Sequence, residues 1–173
     1  MLTGKRIHIL ALAAIAAAAL TGCGGGGGSS TSTTASAGAL SKQELIAKGD
    51  AICQQAREQF QQLQQNPPTT AEDAAALTQK LIDITESELS QLRQLTPPAS
   101  AESSMDDYLK AMEKNVEVLK QGLKAAQQGD ATGYAEAQAK TVSQQVERLQ
   151  LARSVGFNEC SRPAGTAPSG SGG

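Results

Sequence analysis

The sequence predicts an all-α fold, an up-down-up-down four-helix bundle, and three observations carry that prediction. Large rings are scarce: two Phe (Phe60, Phe157), two Tyr (Tyr108, Tyr134) and no Trp in 173 residues. A core must then be built from Leu, Ile, Val, Met and Ala, which suits close-packed helices and suits strands poorly. Between residues 40 and 161 the apolar residues recur at helical spacing in four segments of similar length. Short breaks rich in Pro or Gly separate those segments, and short connections between equal helices favour antiparallel neighbours.

The first helix opens on Ser41 and Glu44, an S-x-x-E capping box. Leu45, Ile46, Gly49, Ile52, Cys53, Ala56, Phe60 and Leu63 then keep to one face. Asn66 before Pro67 and Pro68 ends it, because a residue preceding proline is pushed out of the α region. Thr69 and Glu72 offer a second capping box, followed by a stripe of Leu77, Leu81, Ile84, Leu92 and Leu95 and a second stop at Pro97 and Pro98. Ser100 is the expected cap of the third helix. Its residues Met105, Leu109, Met112, Val116, Leu119, Leu123 and Ala126 alternate by four and three, an a/d seam of the kind bundles use. Gly129 is a natural stop and Asp130 the next N-cap. The fourth helix carries Tyr134, Ala135, Gln138, Val142, Val146, Leu149, Ala152 and Val155. Gly156 follows as the left-handed terminator, with Phe157 placed to pack back on the last turn. Segments of about 25 residues span about 37 Å at 1.5 Å per residue. A pair of two-helix hairpins is the alternative arrangement.

The first 22 residues have another character. Residues 1–6 are short and basic, 9–20 are an unbroken apolar run, and Leu20, Thr21 and Gly22 lead into Cys23. Basic, apolar, then small is the layout of an export signal. The apolar run falls well short of the roughly 20 residues a spanning helix needs. Leu20-Thr21-Gly22-Cys23 resembles the lipobox of bacterial prolipoproteins. That resemblance implies a diacylglyceryl group on the Cys23 thiol, cleavage before Cys23, and a fatty acyl chain such as palmitate on the new amino terminus. Two or more chains anchor stably where one binds marginally, at about 0.8 kcal/mol per buried CH₂. The competing reading is cleavage elsewhere among the alanines, which leaves a secreted protein with a spare thiol at Cys23.

Residues 23–39 read as lipidated cysteine plus tether. The Gly/Ser/Thr run lacks large apolar side chains and cannot bury enough surface to offset chain entropy. A flexible coil with an end-to-end distance of about 5–6 Å × √n would hold the domain a few nanometres from the lipid. Residues 162–173 have the same composition and are expected to be a disordered tail. The chain thus divides into leader 1–22, tether 23–39, helical domain 40–161 and tail 162–173, with the helical domain outside the cytoplasm.

Two cysteines remain, Cys53 and Cys160. An even pair in an exported chain reads as a disulfide. The bundle topology agrees, since the end of the fourth helix should lie beside the first half of the first. Two free thiols are the alternative. The lipobox, the Gly/Ser tether, the Pro-Pro breaks and the closing Gly156-Phe157-Asn158-Glu159-Cys160 together resemble small helical lipoproteins of actinobacteria. That resemblance brings no activity with it.

Composition narrows the function. The chain has 15 basic against 17 acidic side chains, and Lys5 and Arg6 of the leader are two of the basic ones. A mildly acidic mature part without a basic stripe is a poor nucleic-acid binder. The one histidine, His8, lies in the leader. Without a mature histidine there is no Ser-His or Cys-His couple, no Glu-x-x-His di-iron set and little to attract zinc. Calcium-loop, P-loop and haem-attachment spacings are absent. The acid pairs Asp106/Asp107 and Glu86/Glu88 do not face one another on a helix, so they read as solvated surface. The glutamines of the first helix (Gln54, Gln55, Gln59, Gln61, Gln62, Gln64 and Gln65) read as soluble surface or as a polar partner-binding face. Tyr108 is the one candidate ligand-binding residue. Its ordinary role is a ring at the bundle edge with a wet hydroxyl, and its sharper role is to line a ligand or peptide groove. No cofactor, metal or catalytic residue is expected. The expected function is a non-catalytic, membrane-anchored module that binds a protein, a peptide or an envelope component. The alternative is a small-molecule or metal-ion carrier that uses the bundle interior.

Overall fold

The computed structural model describes residues 38–163. Cys23, the export signal, most of the tether and residues 164–173 of the expected tail lie outside the described residues. Within them are four helices and no strand: α1 (Lys42–Leu63), α2 (Ala71–Arg93), α3 (Glu102–Gln127) and α4 (Ala131–Val155). They form an antiparallel bundle. None is long and apolar enough to cross a membrane.

The helix starts follow local chemistry. Ser41 accepts from the Glu44 amide while Glu44 Oε2 accepts from the Ser41 amide at 2.8 Å, so two end donors are satisfied at once. The second box is shifted one residue from its sequence-based position: Thr70 is the cap and Asp73 its partner. Thr69 instead adds its hydroxyl to Asp73 Oδ2 at 3.0 Å. Asp at the third helical position completes the reciprocal pair, so Glu72 is left out. Ser100 does not cap α3. Ala101 does, without a side-chain bond, and its amide is tied to the Pro98 carbonyl at 2.8 Å. The turn after Pro97-Pro98 thus starts α3 through the backbone alone. Asp130 caps α4 as expected, accepting from the Gly133 amide at 3.0 Å.

α3 is the central helix. It packs extensively on both α4 and α2, and α1 leans more lightly on α2. Five residues of the expected seam are buried (Met105, Met112, Val116, Leu119, Ala126), Leu109 and Leu123 are half-buried, and a second buried row includes Tyr108, Ala111 and Asn115. The large apolar core fills one half of the bundle, the end where the chain enters. Leu45, Leu89, Leu92, Met105, Tyr108, Met112, Val155 and Phe157 meet there. At the opposite end the interior is small or polar, with Ala74, Thr78, Ala125 and Ala137. A Cβ on Gly122 would lie 3.1 Å from the Cβ of Ala137, which is how closely α3 and α4 approach there.

Two predicted stripes are rotated. On α2 the buried face runs through Ala74, Thr78, Ile82, Thr85, Glu88, Leu89 and Leu92, while Leu77, Leu81 and Ile84 are half-buried flanks. Thr78 and Thr85 tolerate burial because their hydroxyls bond the carbonyls of Ala74 and Leu81, both at 2.7 Å. On α4, Val142 and Val146 are 66% and 61% exposed. The inward side there is Ala137, Thr141, Gln144, Gln145, Arg148, Ala152 and Val155, buried or half-buried. The middle of α4 turns its polar side inward, which a reading keyed to apolar residues inverts.

Candidate functional site

The segment that follows α4 makes the site. Gly156 has φ +104°, so the chain turns off the helix where a side chain would be strained. The Phe157 amide bonds back to the Ala152 carbonyl at 3.0 Å. From there residues 156–162 run along α1. Gly49, Cys53 and Arg57 stand four residues apart on α1, so they share one face, and each holds a residue of that segment. Phe157 fills the space over Gly49, where a Cβ would lie 2.2 Å from the ring. Cys53 and Cys160 stand at disulfide distance with Cα atoms 5.1 Å apart. Arg57 donates to the Glu159 carbonyl oxygen and lies 3.6 Å from the Glu159 carboxylate. Beside this row, Asp50 Oδ1 accepts from the amides of Asn158 and Glu159, each at 2.8 Å. Arg162, the first residue of the expected tail, is half-buried and pairs with Glu159 at 3.1 Å.

This strap occupies the place where α1 and α4 would otherwise close on each other. Past it the two helices stand apart, and a cleft of about 100 Å³ opens between them. Its α1 wall includes Ala56, Arg57, Phe60, Gln61 and Gln64. Its α4 wall is Gln145, Arg148 and Leu149, and the strap closes one end with Glu159 and Cys160. Glu88 of α2 and Tyr108 and Met112 of α3 form the floor. The volume accommodates several water molecules or the head of a small ligand.

The floor is chemically unusual. Glu88 is over nine-tenths buried, and among the described residues its carboxyl makes no hydrogen bond and no ion pair within 4 Å. Burial pushes its pKa up to about 7, against the opposing pull of Arg148 and, more weakly, Arg57. Across the cleft, Nη1 of Arg148 is buried without a hydrogen-bond partner. Tyr108 is only 2% exposed, so its hydroxyl is not at a wet edge. It lies 4.0 Å from Cys53 Sγ, and burial followed by the nearby Glu88 raises its pKa. The Phe157 ring meets it edge-on, centroids 5.9 Å apart.

The structure therefore brings Tyr108, Cys53 and Cys160 to one site. It adds Glu88, Arg57 and Arg148, which sequence reasoning did not select. The solvated reading holds for Glu86, which pairs with Lys120 at 2.9 Å, and for Asp106 and Asp107, which are exposed. It fails for Glu88. The available signal was register: Glu88 stands three residues after Thr85 and four before Leu92, Arg57 four after Cys53, and Arg148 four before Ala152, each in line with its helix's buried face. The glutamines of α1 are exposed except Gln61, which is half-buried and lines the cleft with Gln64. No group of three metal-ligating side chains exists among the described residues. No family model matches the chain, and no curated protein or solved structure matches it either.

Proposed function

We propose that this protein is an exported lipoprotein, anchored to a membrane through a lipid on Cys23. Its helical head acts as a non-catalytic binding module and takes its ligand in the α1–α4 cleft. The observation that carries this reading is the cleft floor. A bundle that served only as a spacer would close its fourth seam with apolar side chains, because an unpaired buried carboxyl is costly. Here the strap holds the seam open, Glu88 lines the gap with no hydrogen bond or ion pair among the described residues, and Nη1 of Arg148 is buried there without a partner. A few convergent polar groups on apolar walls are the composition of a ligand pocket. Phe60, Met112 and Leu149 supply the walls. The size of the cleft favours a small molecule or the end of a peptide over a broad protein surface. Among the described residues no group of three metal-ligating side chains favours a metal ion.

The test is thermal denaturation of the mature chain against a panel of small polar metabolites, short peptides and cell-wall fragments. A ligand that binds only the folded form raises the midpoint by mass action. The expected result is at least one stabilising compound whose effect is lost in Arg148→Met. A flat response over the whole panel overturns the reading.

A further inference from the structure

Resting on the assignment of the cleft as the ligand site, we propose that its ligand is a small zwitterion, a free amino acid or the end of a short peptide. Its ammonium group would meet Glu88 and its carboxylate would meet Arg148. The two protein groups are of opposite charge and line the same cleft, yet they do not pair with each other. Each lacks one partner, a donor for Glu88 and an acceptor for Arg148 Nη1. A ligand with a single charge would satisfy one and leave the other buried and unmatched. A zwitterion satisfies both and adds no net charge to a poorly hydrated site. Bonds to charged groups of this kind are about twice as strong as neutral ones. The remainder of the ligand would lie against Phe60, Met112 and Leu149, which favours an apolar side chain of moderate size.

Proton linkage supplies an independent signature. The groups facing Glu88 are Arg57 from α1, Tyr108 from α3, Arg148 from α4 and Glu159 from the strap. Near pH 7 Glu88 holds its proton part of the time. An ammonium group placed against it favours the charged form, so binding at pH 7 must release protons.

The experiment is isothermal titration of the full mature chain with leucine and with glycyl-leucine, each at pH 7 in two buffers of different ionisation enthalpy. N-acetyl-leucine and leucinamide, which lack the ammonium and the carboxylate respectively, serve as controls. The expected result is binding of at least one zwitterion with proton release, and about tenfold or greater weakening for both blocked forms. Glu88→Gln should abolish the proton release, and Arg148→Met should weaken the zwitterion while leaving leucinamide unaffected. Arg148 is half-buried where Glu88 is buried, so this second variant keeps the test valid if Glu88→Gln fails to fold. Blocked forms that bind as well as the zwitterions, or zwitterion binding without proton release, overturn the ligand class. So does silence toward both zwitterions while another panel compound stabilises the chain, and in that case the cleft assignment survives. Silence toward every compound overturns both.

Discussion

The ring of Phe157 lies so close to Gly49 that three of its carbons would stand within 3 Å of a Cβ placed there. Phe157 is 1% exposed and edge-on to Tyr108, so it has no room to retreat. The helix-one glycine is therefore a seat for the strap. Gly49→Ala should destabilise the domain by about 2–3 kcal/mol, the cost of overpacking a filled core. Urea denaturation measures it. Ala47→Gly, at an exposed α1 position, serves as the control and should cost about 1 kcal/mol through helix propensity alone.

Joining Cys53 to Cys160 closes a loop across 107 residues of separation, nearly the whole described domain. Chain-entropy reasoning gives about 4 kcal/mol or more for a loop of this length. Cys53→Ala/Cys160→Ala should lower stability by that order while preserving the helical circular dichroism, since Asp50 and Arg57 still hold the strap. Mass spectrometry of the protein isolated from its native host under non-reducing conditions should find the two cysteines in one linked peptide pair.

Glu88 should make stability fall as pH rises. Its pKa is about 7 folded against 4.5 for the free side chain, so the folded state binds the extra proton between those values. The contribution is complete below about pH 4.5 and is lost as pH climbs through 7, with a magnitude on the order of 3 kcal/mol. Glu44 and Asp73, whose pKa values are lowered by their capping hydrogen bonds, act oppositely and weaken the fold as pH drops below the usual carboxylate range. Stability should therefore peak in mildly acidic solution. Urea midpoints from pH 4.5 to 8.5 should decline in the wild type and stay nearly level in Glu88→Gln.

Cells grown with a clickable palmitate analogue should label the protein, and Cys23→Ala should abolish the label. Export itself is read from protease access in spheroplasts: the wild-type helical head should be cleavable without lysis. A label that persists in Cys23→Ala places the lipid elsewhere.

Arg57 is buried between α1 and the strap, where it serves the Glu159 carbonyl and carboxylate. Arg57→Ala should cost about 3 kcal/mol, because the Glu159 carboxylate would lose one of its two cations and the Glu159 carbonyl its buried donor. Arg162, also paired with Glu159, limits the loss. Arg57→Lys should recover only part of it, since an ammonium cannot serve both oxygens in one plane. Thermal denaturation orders the three proteins.

Much of the fold is legible along the chain because the determinants are local. Ser41 and Glu44, Asp130, Gly156 and the Pro-Pro breaks act within a turn or two of themselves, and the heptad seam of α3 declares its inward face at once. The cysteine pairing follows from parity and topology. The rotated stripes of α2 and α4 show where local reading stops. Thr78 can be buried because its own helix satisfies its hydroxyl, and Val142 can be exposed because α3 is already covered by the other side of α4.

The sequence by itself determined four helices, their order and most of their ends, because caps, periodicity and breaks are short-range, and through parity and topology it determined which two cysteines would meet. Only the tertiary structure decided that the strap would lie between α1 and α4 and hold their seam apart. That outcome depends on residues more than a hundred positions apart, Gly49 with Phe157 and Asp50 with Asn158, fitting each other in space. The cleft is the space left over once the strap is seated. Glu88, Tyr108 and Arg148, from three different helices, acquire a common environment there, and no spacing within any one helix encodes it.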